Sequence, residues 1–390
     1  MSRILFVTYH HWETKREGGF HRLAEAMCEE GHDVGFFTFP RPWWLLCLGG
    51  ERANISLYAR LLRGCVYRVG RGRLFNFIAP TLGLPNRMAK HLPLSVNLFL
   101  DTSSIPGMIK SCVTHFALPD VVVLESTECI HMFDKLKAAF PRARFVYRPS
   151  DPLAARFSWT EHAEVEKKVL SGCEKVFLVN LLGKRYYESA LGVNMDRPGV
   201  EILPNGVDLG AYRQKWERPC EYPAGRKIVL YVGAWPPDWS VVLDTAAELT
   251  EALFVVICPE LPAKSTRRRL RMSRNVIYIA GVARTEVPKY VLACDVIFIP
   301  YPDGIRKQWA YLGLTSKIIQ SMVAEKPIVI WNAGDNLSGY GLLLPDKRPE
   351  IVSCLRGAIG MGNIKYVLNY DQFDWKCIKK QFKQSIAELH

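Results

Sequence analysis

The chain has 390 residues, 49% of them hydrophobic, and a formal net charge of +13. That length exceeds what one hydrophobic core serves, so two domains are expected, while no apolar run reaches the ~18 to 20 residues that would span a bilayer. Residues 1–8 are too short and too soon interrupted by His10 and His11 for a signal peptide, and the 11 cysteines show neither a CxxC pair nor metal-ligand spacing, so a cytoplasmic location and reduced thiols with no metal role are expected.

Residues 4–8 read as a first strand, followed by a helix over about residues 19–30 that Gly31 ends and a strand over residues 33–39. Between Phe36 and Leu100 stand Arg41, Arg52, Arg60, Arg63, Arg68, Arg71, Arg73, Arg87 and Lys90 against the single acid Glu51, interleaved with Trp43, Trp44, Phe75 and Phe77. Cationic and bulky apolar side chains in alternation suit a surface that rests on an anionic membrane. A solvated face over an ordinary core and a nucleic-acid patch are the competing readings. The pattern then resumes with a strand at residues 121–124, a helix at 128–140 that stops before Pro141, a strand ending at Arg148, and strands at 175–179 and 201–203.

Residues 204–208 and the polar, irregular run to Gly225 mark a domain boundary. Beyond it come a strand at 228–232, a helix near 241–250, strands at 253–257 and 276–279, a helix at 286–293 and a strand at 296–299. Arg267 to Arg271 lie between strands and read as a solvated turn or helix face. Residues 373–389 carry Phe373, Ile378, Phe382 and Ile386 at a helical period, a tail able to pack back on the first domain. The alternation of apolar runs with amphipathic segments predicts an α/β chain with parallel sheets covered by helices on both faces.

Ligands of such sheets bind beyond the carboxyl ends of the strands, which selects His10, His11, Glu125, Asp151, Gly233 and Tyr301. Asp151, just past a strand, is a candidate general base for a hydroxyl; a turn or cap residue before Pro152 is the alternative. Glu125 is placed similarly and could equally cap the next helix, and His10 could orient an acceptor or a phosphate. Thr315 and Ser316 open a second site as the start of a helix, which favours a diphosphate. Lys317 adds a full charge there, and Gln320 follows one turn later on the same face. A carboxylate and a diphosphate site in separate halves suggest sugar transfer from a nucleotide carrier to a hydroxyl. No GxGxxG follows the first strand and no GxxxxGK[ST] occurs, which argues against a dinucleotide or P-loop enzyme.

The runs Val121-Val122-Val123-Leu124-Glu125-Ser126 and Phe145-Val146-Tyr147-Arg148-Pro149-Ser150-Asp151 resemble the inverting glucuronosyltransferases of the GumK family. The resemblance implies a GT-B architecture of two facing Rossmann-like domains. The N-terminal, acceptor-binding domain is expected over 1–205, the nucleotide-sugar domain over 206–372 and a returning C-terminal helix over 373–390. It implies Asp151 as general base, Arg148 in the cleft, and Pro300-Tyr301 with Lys317 and Gln320 at the donor. Asn205-Gly206-Val207-Asp208 is similar to the loop entering the second domain. Where the family has Glu-Met, this chain reads Gly281-Val282-Ala283, so the uracil is expected mainly on backbone, and Arg306 or Lys307 could pair with a uronic carboxylate.

The implied donor is a UDP-sugar, with UDP-glucuronate as the family's suggestion; it is a substrate, and the resemblance implies neither a metal nor another cofactor. The implied acceptor is a glycan on a polyprenyl diphosphate in the inner leaflet of the plasma membrane, serving exopolysaccharide or cell-surface polysaccharide synthesis. Trp43, Trp44, Arg71, Arg73, Phe75 and Phe77 would then hold the protein peripherally on that membrane, with no nucleic acid involved. Two other readings stand beside this one: a sugar-nucleotide epimerase of the same fold, and a non-enzymatic basic binding protein.

Overall fold

Runs of β-branched and aromatic residues pair into two parallel sheets, each in its own compact unit. The computed structural model describes residues 2–14, 17–39, 41–44, 61–156 and 160–389; part of the basic stretch, including Arg52, Arg60 and Glu51, lies outside them. The first unit comprises Met1–Pro204 with Lys379–His390, and the second comprises Asn205–Ile378.

The strands of the first unit are β1 (Arg3–Thr8), β2 (Asp33–Thr38), β3 (Arg41–Pro42), β4 (Cys65–Val69), β5 (Gly72–Phe77), β6 (Pro80–Thr81), β7 (Val121–Glu125), β8 (Arg144–Arg148), β9 (Lys175–Leu178) and β10 (Val200–Ile202). Eight of them form one sheet in the order β10-β9-β8-β7-β1-β2-β5-β4, with β3 and β6 paired apart. All neighbours are parallel except β4 and β5, an antiparallel hairpin at the edge. Because β7 is buried along its whole length, its Val-rich run lacks the alternation of a one-faced strand.

The second unit holds β11 (Lys227–Val232), β12 (Ala252–Ile257), β13 (Val276–Ile279), β14 (Val296–Pro300) and β15 (Ile328–Trp331), all parallel in the order β13-β12-β11-β14-β15. The chain enters this unit beside the segment that leaves it: the Val207 N–H donates to the Phe373 carbonyl at 2.7 Å and the Trp375 N–H to the Val207 carbonyl at 3.1 Å. The helical period read in the tail is realised in helix Trp375–Ala387. From Lys379 onward this helix counts with the first unit, where Phe382 is fully buried against Phe6 and Phe177. Lys379 pairs there with Glu25 and Glu29. These ion pairs are partly buried and hold the helix to the same face as the aromatic packing.

Both sheets reverse direction of growth once. In the first unit the chain adds strands on one side of β1 and then crosses to place β7 on the other; in the second it crosses between β11 and β14. At such a reversal the flanking helices diverge and leave a crevice beyond the strand ends. The residues that follow β1, β7, β11 and β14 are therefore set for chemistry by topology alone.

Candidate functional site

At the first crevice, Thr8 ends β1 and Glu125 ends β7. Thr8 Oγ1 donates to Glu125 Oε2 at 2.5 Å and the Tyr9 N–H donates to the same oxygen at 3.2 Å. Burial pushes the Glu125 carboxyl up, and these bonds and the nearby Arg148 charge only partly offset it. His10 is fixed through its backbone, its N–H donating to Thr8 Oγ1 at 3.2 Å and its carbonyl accepting from Thr38 Oγ1 at 3.1 Å. Behind it stands His21, a buried ring stacked on Trp12, whose pKa burial lowers.

Arg148 ends β8 and is fully buried. Burial lowers its pKa to about 10, and the charges of Glu125 and Asp151 oppose that fall, so it remains a cation at neutral pH between two carboxylates. Its guanidinium donates to Ser150 Oγ at 3.0 Å. Ser126 Oγ in turn accepts from the N–H groups of Ser150, at 3.1 Å, and Asp151, at 3.4 Å. Glu125, Arg148 and Asp151 thus form one electrostatic group. Asp151 is half-buried whereas Glu125 is sealed and committed to Thr8 and Tyr9, so of the two carboxylates Asp151 is the one a substrate hydroxyl can reach.

The second crevice centres on Lys317, in the first turn of helix Ser316–Val323. Its ammonium lies 5.0 Å from the ring centres of both Tyr231 and Tyr301 and donates to the Tyr231 hydroxyl at 3.3 Å. Although part of the residue meets solvent, the ammonium is withdrawn between the rings, and burial lowers its pKa to about 8. Gly233 follows β11; a Cβ there would fall 2.8 Å from the Tyr231 hydroxyl and 3.1 Å from Lys317 Nζ, so the missing side chain keeps the space in front of the cation open. Thr315 caps the helix with extended backbone and no side-chain cap bond, its hydroxyl lying 3.4 Å from that of Tyr301. The Ile318 and Ile319 N–H groups donate to the Thr315 carbonyl at 3.0 Å each, which leaves the Ser316 and Lys317 amides of the first turn to be satisfied from outside the helix. Ser316 and Gln320 stand on the same helix, both partly exposed.

Gly281, at φ +84°, turns the chain after β13 and leads through Val282 and Ala283 into the short helix Arg284–Glu286. β13 stands two strand spacings from β11, with β12 between them, a span of about 10 Å. Arg306 is engaged within its own unit, donating to Asn332 Oδ1 from Nε at 3.1 Å and from Nη2 at 2.8 Å, while Lys307 is exposed. Asn332 takes left-handed backbone at φ +57° and also donates to the Tyr301 carbonyl at 2.8 Å. This network fixes the end of β14, and with it Tyr301. Thr8, His21, Tyr231 and Asn332 escaped sequence reading. The first two precede the motifs, and Tyr231 looked like an ordinary strand residue; only the positive φ of Asn332 marks it, and that is not a sequence signal.

Part of the expected membrane surface is corrected. Phe75 and Phe77 are buried in the core because β5 runs between β2 and β4 and is covered on both faces. Arg73 makes a two-pronged bond to Asp33 at 3.0 and 2.8 Å, and Arg71 donates to the Glu29 carbonyl at 2.9 Å. Trp43 is exposed, while Trp44 is half-buried and donates to the Gly83 carbonyl at 2.8 Å. Among the described residues no helix is long and apolar enough to cross a membrane, and no three His, Cys, Asp or Glu side chains group to hold a metal ion.

The buried cation has a consequence for stability. A lysine whose folded pKa lies below its unfolded value burdens the fold while it stays charged, and that burden is relieved as pH rises from about 8 towards the unfolded value. Lys317→Met is expected to stabilise the unliganded protein at neutral pH by about 1 kcal/mol or more. In urea unfolding, the advantage over the parent chain should shrink between about pH 8 and about pH 10; a variant that is less stable at neutral pH contradicts the burial assigned to Lys317.

Residues 6–179 match the family described as glucuronosyltransferase GumK, N-terminal domain. A comparison with curated proteins by sequence found no match. Among solved structures, HepE of Anabaena in complex with UDP-glucose aligns at TM-score 0.62 and 13% identity, covering 100% of each chain. The UDP-forming α,α-trehalose-phosphate synthase of Burkholderia vietnamiensis aligns at TM-score 0.63 and 13% identity over 100% of this chain and 97% of that one. OtsA without ligand aligns at TM-score 0.64 and 11% identity over 100% and 99%. The chain has the GT-B fold of these structures, and its residues 6–179 resemble the N-terminal domain of the GumK family.

Proposed function

We propose that the protein is an inverting transferase that moves a sugar, glucuronic acid by the family resemblance, from UDP to a lipid-linked glycan in bacterial polysaccharide synthesis. The observation that carries the donor half is the Lys317 ammonium, kept between Tyr231 and Tyr301 beside Gly233 at the switch point of the second sheet. A buried, destabilised cation at a helix start is a poor structural choice and a good diphosphate partner. The diphosphate lies at Ser316 and Lys317, the ribose at Gln320, and the uracil along Gly281, Val282 and Ala283 about 10 Å away. The likeness to HepE, solved with UDP-glucose, and to a UDP-forming synthase supports a UDP-sugar.

In the transfer step, Asp151 takes the proton of the acceptor hydroxyl while that oxygen bonds to the anomeric carbon. The bond from that carbon to the diphosphate oxygen breaks, and its electron pair leaves with UDP. Attack from the face opposite the leaving group inverts the anomeric centre. Lys317 and the helix start receive the charge that develops on UDP, and in this scheme no metal ion takes part.

The lipid-linked acceptor places the protein on the inner face of the plasma membrane. Supporting this, helix Leu94–Asp101 is apolar in sequence yet buries none of its residues, with Phe99 69% exposed. Met88 and Leu92 are exposed beside it, as are Arg87 and Lys90. Thr81 Oγ1 donates to the Leu100 carbonyl at 2.7 Å, so the strand before Gly83 ties Trp44 and its neighbour Trp43 to the same surface. An exposed apolar helix flanked by cations suits an anionic bilayer.

Asp151→Asn is expected to lower sugar transfer about 100-fold or more, with UDP affinity retained. The assay is UDP release from whichever of UDP-glucose and UDP-glucuronate raises the melting temperature, with octyl glycosides as acceptors. Near-normal turnover removes Asp151 from its role, and no thermal response to either sugar nucleotide or to UDP removes the donor assignment. For location, Val96→Glu combined with Phe99→Glu should shift the protein from the pellet to the supernatant when sedimented with vesicles containing phosphatidylglycerol. Unaltered sedimentation, or none by the parent chain, counts against membrane contact through this helix.

A further inference from the structure

A second buried carboxylate lies behind the Asp151 turn and has no part in the transfer step. Glu166, on helix Thr160–Gly172, has no solvent exposure, and four donors converge on it. The hydroxyls of Tyr147 and Tyr187 lie at 2.7 Å, the Leu153 N–H at 3.0 Å and the Ala154 N–H at 2.7 Å. Tyr147 is the penultimate residue of β8, and Leu153 and Ala154 open the short helix Leu153–Arg156. Glu166 therefore ties the chain just before Arg148 to the chain just after Pro152, and the turn carrying Asp151 runs between the two anchors.

If only packing were needed here, an apolar side chain would serve without the cost of sealing a carboxylate from water. What an apolar residue cannot do is accept two backbone N–H groups and two hydroxyls at once. On the other side, Ser126 accepts from the Ser150 and Asp151 N–H groups, so the turn is held from both faces. We infer that Glu166 is a positioning residue: through Tyr147, Leu153 and Ala154 it sets where the Asp151 carboxylate stands relative to the acceptor hydroxyl. The inference rests on the assignment of Asp151 as the base.

The test is E166Q, which keeps the shape but turns one accepting oxygen into a donor. It is expected to lower kcat about 10- to 100-fold, the scale of a misplacement of about 1 Å, while the donor KM stays within about twofold. Added to D151N, it should cost almost nothing more, because a residue that acts through Asp151 has no further effect once the base is gone. A folded E166Q protein with parental kcat, or a loss that multiplies with that of D151N, overturns the proposal. D151N with parental activity instead overturns the base assignment on which it rests. If E166Q does not give the parental circular dichroism spectrum, Y187F carries the same test, since it removes one donor and leaves the two backbone bonds. A kcat loss that disappears in the D151N background supports the proposal, and no loss overturns it.

Discussion

Everything at the two crevices follows from how parallel strands must be joined. A parallel neighbour requires a crossover, and where the sheet reverses its direction of growth the crossovers part, leaving strand ends uncovered. Polar groups set there are withdrawn from water to differing degrees, so each charge needs a partner or carries a penalty. The first unit meets this with an alternating group, Glu125, Arg148 and Asp151, in which the central guanidinium is sealed and the outermost carboxylate faces outward. The second meets it only in part: two tyrosine faces and one hydroxyl oxygen surround Lys317, a setting that leaves the cation poised for an anion.

The contrast between the units fits the division of labour proposed for them. A base must keep its geometry before substrate arrives, and the Asp151 turn is held by Ser126 on one side and by the Glu166 bonds on the other. A leaving-group site of the kind proposed gains most when its charge is satisfied only by the ligand, and the lowered pKa of Lys317 and the space left by Gly233 fit that proposal together. On the proposed function, stability is given up at the second crevice for binding.

Much of the architecture could be read from residues alone, for a definite reason. β7, β11 and β14 are sealed within their sheets, so their unbroken Val, Ile and Leu runs can be little else, and the residues after them fall at the crevices by topology. The tail showed its helix through Ile378, Phe382 and Ile386, all buried, whereas Phe373 lies before that helix in a short turn. The hairpin of β4 and β5 was not legible: its mixture of arginines with aromatic residues reads as a lipid-facing surface, but Arg73 is answered by Asp33 and the phenylalanines by the core. The region read as one helix at 128–140 is a tight turn Glu128–Met132 followed by helix Phe133–Ala139. Glu166 was invisible because a glutamate on a polar helix has no local mark; only the return of the chain shows what it accepts.

The central claim, that a buried Lys317 cation receives the diphosphate, is tested most directly by calorimetric titration of UDP at about pH 7 and about pH 9.5, where its phosphates are already ionised. With the lysine titrating near pH 8 beside Tyr231 and Tyr301, binding should weaken at least about tenfold at the higher pH, because the ligand must then bring a proton with it. Lys317→Arg, charged throughout, should show no such loss. Equal UDP affinity of the parent chain at both values, or the same fall in the arginine variant, would contradict it.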